Sequence, residues 1–377
     1  MANVLTDLAA DIYKAADIVG RELVGAIPSM TINAGSERAA LNDTVRSHFT
    51  RQPTLNTTYS ASMTIPEGDD QTVDNKTLTI DKVANVQIPW TGEDVRHVNN
   101  GSGFETIYGD QIAQAMRTIS NKIEQDVCDA LYKGASRSVG SPGTTPFGSN
   151  FDLIADARKI LVDNGMPTDN QVSMIMDTAA GAKLRNLAQL QKANEAGGTE
   201  LLRQGTLLDL QGIMLKESAG IRSHTKGTGT SYQLSSAGSI GDTTINVDTG
   251  SDTIVVGDVV TIGNFDYVVN TALSGGSFTI NSPGLQEAVA DNAAVTVKNS
   301  RTANFVFHRQ AAELAFRAPE QPFGGDAAVD RTTVQDPISG LVYEVALYKG
   351  YNKTMFDVTT LYGVKAWKPD FIADLAG

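Results

Sequence analysis

Apolar residues at Leu8, Ile12, Ala16, Val19 and Leu23 fall three or four apart, which predicts a helix over 6–25 with Thr6 as its cap. Its other face carries Asp7, Asp11, Asp17 and Glu22. Such a face is either simply solvated or a docking surface for a basic partner. From 54 to 91 the period falls to two, and runs rich in Thr, Val and Ile predict strands at 59–65, 77–81 and 85–89. Between the first two lies the acidic, turn-forming stretch 66–75. A two-stranded arm is marginal alone in water, and ordering it costs on the order of 1 kcal/mol per residue in backbone entropy. It needs a surface to lie on.

Helical spacing returns over 105–133, where Ile112, Met116, Ile119, Ile123, Val127 and Leu131 form one stripe. At about 1.5 Å per residue this helix reaches roughly 40 Å. Cys128 adjoins the stripe, and with no His near it in sequence it reads as a packed thiol. A Gly, Ser and Pro loop over 134–150 precedes a helix over 152–163. A buried strand is expected at 172–176, a helix at 179–193, a mobile polar loop at 194–199 and a strand at 213–215.

Residues 223–300 differ in kind: they hold eleven Thr, ten Val and ten Gly, and neither Arg, Met, Trp nor Cys. Short runs at 244–247, 258–262, 267–269, 277–280 and 294–297, separated by Gly, Asp and Asn turns, predict a small all-β barrel or sandwich. The flanks 225–230 and 299–300 read as linkers, so this is a module inserted in a host fold. Two more β-rich stretches follow, 304–316 and 341–367, with a Gly- and Asp-rich loop at 324–336.

Composition narrows the function. A chain of 377 residues with a net charge of -13 is too acidic to grip nucleic acid over its whole surface. One cysteine excludes an intrachain disulfide or a zinc cluster, and the N-terminus shows no secretory signal. A soluble cytoplasmic product, with no membrane partner, is expected. The chain contains no phosphate-binding P-loop, no G-x-G-x-x-G, no nucleophile elbow and no H-E-x-x-H. His48, His97, His224 and His308 are scattered, and Asp69, Asp70 and Asp74 lack the order of a calcium loop. No enzyme activity, metal or cofactor is expected. A projecting arm, an acidic N-terminal segment and a long helix together imply surfaces buried only between subunits.

Two C-terminal motifs carry a resemblance. Asn304-Phe305-Val306-Phe307-His308-Arg309-Gln310-Ala311, with Leu314-Ala315 and Arg317-Ala318-Pro319, is similar to the strand and turn leading back from the axial domain in tailed-bacteriophage major capsid (coat) proteins. Leu361-Tyr362-Gly363-Val364 followed by Lys368-Pro369-Asp370 resembles that family's closing strand and Arg-Pro-Glu turn, with Lys368 and Asp370 as conservative replacements. The resemblance implies an α+β fold of the Hong Kong ninety-seven type. Its parts would be an N-terminal arm (1–53), an extended loop (54–91), a peripheral domain with the spine helix (92–150), a peripheral and axial segment (151–222) and a return through the axial domain (301–377). The β insert (223–300) resembles the insertion domain of the Salmonella short-tailed-phage coat-like branch, with His224-Thr225-Lys226 and Val256-Gly257-Asp258 similar in kind.

The resemblance further implies self-assembly into pentamers and hexamers, a scaffolding protein, a portal protein and enclosed double-stranded DNA held weakly. The product would be a virion capsid, assembled in the host bacterial cytoplasm. Met63, Ile65, Glu67, Asp69, Asp70, Lys76 and Leu78 are the candidate intersubunit contacts of the extended loop, and Asp7, Asp11 and Asp17 the candidate scaffold-docking residues. His308 reads as a structural residue at a strand end. A bacterial nanocompartment shell of the same fold and a β-rich surface adhesin stand as alternatives.

Overall fold

A computed structural model describes residues 25–35, 37–50, 55, 57–58, 60–65, 73–99, 104–187, 190, 209–335 and 341–377. Strands β1 (Thr31–Ala34), β2 (Thr44–Thr50), β3 (Val73–Thr79) and β4 (Lys82–Thr91) precede helices α1 (Gly92–Asn99) and α2 (Phe104–Lys133). Next come β5 (Arg137–Gly140), α3 (Asp152–Asp163), β6 (Val172–Met176), α4 (Thr178–Arg185), β7 (Met214–Glu217) and β8 (Ser223–His224). Then follow β9 (Tyr232–Leu234), β10 (Thr244–Asp248), β11 (Val259–Ile262), β12 (Phe265–Ser274), β13 (Ser277–Ile280) and β14 (Ala294–Val297). The chain closes with β15 (Arg301–His308), β16 (Ala312–Arg317), β17 (Ala328–Gln335), β18 (Val342–Gly350), β19 (Lys353–Ala366) and β20 (Ile372–Ala376).

The long strand β19 organises one sheet. It pairs with β4 along one edge and with β18 and then β16 along the other, while β17 extends from β18 and β1 runs parallel to β16. Helix α2 lies on this sheet: Met116, Ile119, Ile123, Val127 and Leu131 are buried in one core with Tyr343, Val345, Val358 and Tyr362. The apolar stripe in the sequence is therefore the helix's sheet-facing side.

A second sheet runs β5-β20-β15-β6-β7, parallel at its two ends and antiparallel in the middle. Both β6 and β20 are buried at every position, as expected of strands covered on two faces. Ile154, Leu161 and Leu184 of α3 and α4 pack there against Met174, Met176 and Leu375. Residues 232–297 form a separate core of Leu234, Ile245, Val260, Ile262, Tyr267, Phe278 and Ile280. Its strand pairings close on themselves in the order β11-β14-β9-β10-β13-β12-β11, all antiparallel.

Several sequence expectations shift. Apart from Gly25, which is not helical, the helix over 6–25 lies outside the described residues, as does the loop 194–199. Residues 60–65 form no strand; the partner of β3 is β2, in register from Thr44↔Thr79 to Thr50↔Val73. The mixed polar run Thr-Val-Arg-Ser-His-Phe-Thr hides that strand, because of its described side chains only Val45 packs on an apolar cluster. The expected strand at 85–89 is not part of the projecting hairpin but sits within β4, paired with β19 along its whole length. The helix expected at 179–193 ends at Arg185. The loop expected at 324–336 contains β17, and β5 and β20 were not foreseen. The flanks expected as linkers are tied down: β8 pairs with β15, and Lys226 N–H donates to Ser300 Oγ at 3.1 Å.

Candidate assembly site

At its root the β2–β3 hairpin crosses β19. Leu78 and Ile80 are buried, Ile80 with Ala39 and Leu361 and with Val45 packed alongside. The crossing is so close that a Cβ at Gly363 would stand 2.1 Å from Thr79 O and 3.0 Å from Leu78 Cδ2. Glycine inside a strand marks just such an approach of another backbone. Beyond it, Lys365 Nζ donates to Thr77 O at 3.1 Å, and Lys76 Nζ donates to Trp367 O at 3.0 Å. The two ammonium groups stand 5.2 and 5.8 Å from the Trp367 ring centre, within cation–π range. Trp367 Nε1 donates to Glu313 Oε2 at 2.9 Å. Burial, then the Lys368 and Lys365 charges, push the Lys76 ammonium below its ordinary pKa, while Asp370 opposes them. Thr31, Lys76, Gln310, Ala312, Glu313, Trp367 and Lys368 line a pocket of about 220 Å³ beside this root.

Residues 25–27 are clasped by α2. Glu124, 1% exposed, accepts from the backbone N–H groups of Gly25 and Ala26 at Oε1 (2.9 and 2.7 Å) and of Ile27 at Oε2 (2.9 Å). Ser218 Oγ donates to the same carboxylate at 2.6 Å. Ser29 Oγ donates to Gly25 O and receives Lys216 Nζ, each at 2.7 Å. Residues 25–29 are therefore fixed against α2 and β7.

Two residues along, Asp126 joins α2 to the sheet. Lys122 Nζ at 2.7 Å, Lys82 Nζ at 3.1 Å and Tyr362 OH at 2.7 Å surround its carboxylate. Burial alone would raise its pKa, but the bonds from Lys122, Tyr362 and Lys82 outweigh it and hold the carboxyl below its ordinary value. A group depressed in the folded state adds stability that is complete above the unfolded value of about 3.9 and is lost as pH falls through the folded one. Asp126→Asn should thus lower the urea midpoint at pH 7, and the gap from wild type should close as pH drops below about 4. A gap independent of pH would show that the charge is not the stabilising element.

The quoted flank at 224–226 and the turn at 256–258 meet in space. His224 Nε2 lies 2.8 Å from the fully buried Asp258 Oδ1, and its Nδ1 lies 3.3 Å from Tyr132 OH at the end of α2. Asp258 also accepts from Gly227 N–H at 3.1 Å and Val255 N–H at 2.8 Å. Arg301 donates through Nε to Asp374 Oδ2 at 2.9 Å and through Nη2 to Gly257 O at 3.1 Å. Asn281 Nδ2 reaches the carbonyls of Lys133 and Ala135, closing the C-terminus of α2. The strand ring is thereby joined to the rest of the chain by hydrogen bonds and buried charges.

Of the residues singled out by sequence, Met63 and Ile65 are exposed, at 105% and 91%. Glu67, Asp69 and Asp70, and likewise Asp7, Asp11 and Asp17, lie outside the described residues. Lys76 is bound back onto its own chain at Trp367, and Leu78, 1% exposed, belongs to the chain's own packing and not to a surface open to a neighbour. Its apolar side points inward because β3 rests on β19 at Gly363. His308 closes β15, its Nε2 at 2.8 Å from Asp169 Oδ1 and its Nδ1 accepting from Gln310 N–H. Cys128 is buried, and burial, then Glu124, drive its thiol well above the ordinary pKa. Sequence reasoning missed Glu124 and Trp367, and quoted Gly363 only as part of a strand motif and not as the crossing point that its glycine within a β run signals. Among the described residues no His, Cys, Asp and Glu group is placed to hold a metal, and no helix is long and apolar enough to cross a membrane.

No curated protein matches the chain. In fold it is similar to a solved chain of Mycobacterium phage Che8, with 14% identity, a TM-score of 0.52 and coverage of 100% of this chain and 96% of that one. It is similar also to the capsid structure of the cyanophage P-SCSP1u, with 12% identity, a TM-score of 0.52 and coverage of 99% and 92%. Residues 37–274, more than half of the chain, match the family described as P22 coat protein, gene protein 5. Sequence family and fold thus agree on a phage major capsid protein that self-assembles into the icosahedral head: the chain belongs to the P22 coat protein family.

Proposed function

We propose that this coat protein closes its shell through the hairpin on β2 and β3, which lies across a neighbouring copy in pentamers and hexamers. The observation that carries this is the hairpin's seating. Its root is fixed on β19 at Gly363, whereas Met63 and Ile65, in the stretch between the two strands, are exposed. Two exposed apolar side chains on a segment with a rigid root are suited to burial against another copy. The ring of strands within 232–297 is read as the insertion domain of the Salmonella short-tailed-phage coat-like branch, in a Hong Kong ninety-seven type layout of arm, hairpin, peripheral and axial parts. A scaffolding protein docking at Asp7, Asp11 and Asp17, a portal protein and weakly held double-stranded DNA complete the proposal. Assembly would take place in the host cytoplasm, first as a procapsid, and the role is structural and non-enzymatic.

The test is electron microscopy of the protein made with its scaffolding protein. Wild type gives closed shells. A chain in which 55–70 is replaced by a short turn, keeping β2 and β3, stays soluble and folded but gives none. Normal shells from it would overturn the hairpin's role. In the same preparation, Asp7→Lys with Asp11→Lys abolishes scaffold recruitment, and unchanged recruitment would remove those residues from the proposal.

A further inference from the structure

We infer that Phe323 of one copy of this chain seats in the pocket beside Trp367 of a second copy. The inference rests on self-assembly into a shell and names a contact separate from the hairpin. Phe323 is 109% exposed in the loop between β16 and β17. Its support is braced on both sides. Before it, Arg38 donates through Nη1 to Pro319 O and through Nη2 to Oε2 of the buried Glu344, each at 2.6 Å. Ala39 adds two backbone bonds, its N–H to Ala318 O at 3.1 Å and its O from Glu320 N–H at 3.0 Å. After it, Asp326 accepts from Ala328 N–H at 3.0 Å and from Tyr348 OH at 2.7 Å and pairs with Arg331, whose Nη1 donates to Glu344 Oε1 at 2.5 Å. Gly325 N–H closes the turn on Pro322 O at 2.9 Å, with Gly324 and Gly325 at positive φ. A ring displayed on a loop already held in this way loses little further freedom on binding, so ordering offsets little of the gain from its burial.

The pocket fits a neutral aromatic ring better than a charged group. Glu313 in its lining and Asp370 beside Lys76 oppose an anion, while Lys76, Lys365 and Lys368 oppose a cation. A phenyl ring meets both signs, with its electropositive edge for the carboxylate, its face for the ammonium groups and the Trp367 indole to stack upon. The volume of about 220 Å³ has room for one such ring. Tyr351, also exposed, is flanked by Lys349 and Lys353, which would meet the pocket's own lysines. Phe323 instead lies between Glu320 and Asp326, opposite to them in sign. Its own pocket is out of reach. Ala312 and Glu313 open β16, Arg317 ends it, and Phe323 comes after that end. The strand alone spans about 17 Å. The contact therefore joins different surfaces of two copies and is heterologous, the kind that closes rings.

Cross-linking tests the pairing. Pro322 adjoins the ring, Gln310 lines the pocket, both are exposed, and the chain's own Cys128 is buried. A chain carrying Pro322→Cys and Gln310→Cys keeps Phe323 and should assemble; oxidised with oxidised glutathione, its shells should run as a ladder of covalent multimers on a denaturing gel. A bond within one chain is excluded, since a disulfide needs Cα atoms within about 7 Å. Each single variant, oxidised alike, should stay monomeric. In parallel, Phe323→Ala changes a fully exposed side chain, so it should remain folded by circular dichroism while the yield of shells falls at least about tenfold. Phe323→Tyr keeps the ring and should keep the shells. Wild-type yield from Phe323→Ala, or double-variant shells that stay monomeric on oxidation, overturns the inference. Dimers from Pro322→Cys alone would set two loops against each other and overturn it as well. Absence of shells from wild type itself would instead sink the shell reading.

Discussion

Glu124→Ala loses on the order of 4 kcal/mol of stability, seen as a large fall in the urea midpoint, and frees residues 25–27. One carboxylate satisfies the N–H groups of Gly25, Ala26 and Ile27 and the hydroxyl of Ser218, all in the interior. A buried donor left without a partner costs about 1–3 kcal/mol, more where a charged acceptor is removed. Four orphaned donors would exceed the stated loss, but the segment can peel away and recover bonds to water, which limits it. Amide exchange reads the difference directly: residues 25–27 are protected in wild type and exchange rapidly in the alanine variant. Glu124→Gln retains one acceptor oxygen and should fall between the two. An unchanged midpoint with 25–27 still protected would mean that the clasp lies elsewhere.

The reason Glu124 escaped sequence reasoning is physical. A glutamate beside Ile123 looks like the solvated edge of an amphipathic stripe, and its burial depends on an arm about 100 residues earlier in the chain. Local periodicity carries what each element buries against its nearest layer, so α2 could be read from spacing and β6 from a short run that is apolar except at Ser173. It carries little about elements stabilised by distant partners. Strand β2 looks polar until β3 is laid beside it, and β20 looks like a short tail until it is inserted between β5 and β15. The β-strands of the ring within 232–297 were legible because the composition there changes sharply to Thr, Val and Gly. The ring's attachment was not: His224 and Asp258 each looked like ordinary turn residues, and only folding brings them to 2.8 Å.

Gly363 marks where local and distant information meet, and its substitution should have the larger functional effect. In Gly363→Val the new Cβ would meet the carbonyl oxygen of Thr79 at 2.1 Å and its carbon at 2.9 Å, so backbone must move, and the backbone concerned is the hairpin's own. Overpacking of this kind costs about 1–3 kcal/mol even where side chains can adjust. Here β3 lifts from β19, the bonds from Lys365 to Thr77 O and from Lys76 to Trp367 O lengthen together, and the hairpin loses its fixed direction. A stability loss of about 3 kcal/mol is therefore expected, with shells absent from preparations that still hold folded subunits. Gly350→Ala in the same sheet is the matched control, because a Cβ there meets only Lys353 O at 3.7 Å, an ordinary contact. It should change stability by no more than about 0.5 kcal/mol and leave assembly intact. If Gly363→Val assembled as well as that control, the crossing would be a packing accident and the hairpin's direction would be set by the neighbouring copy. If only the Gly363 variant fails, the direction is built into the subunit before any neighbour arrives, and assembly selects a hairpin already aimed.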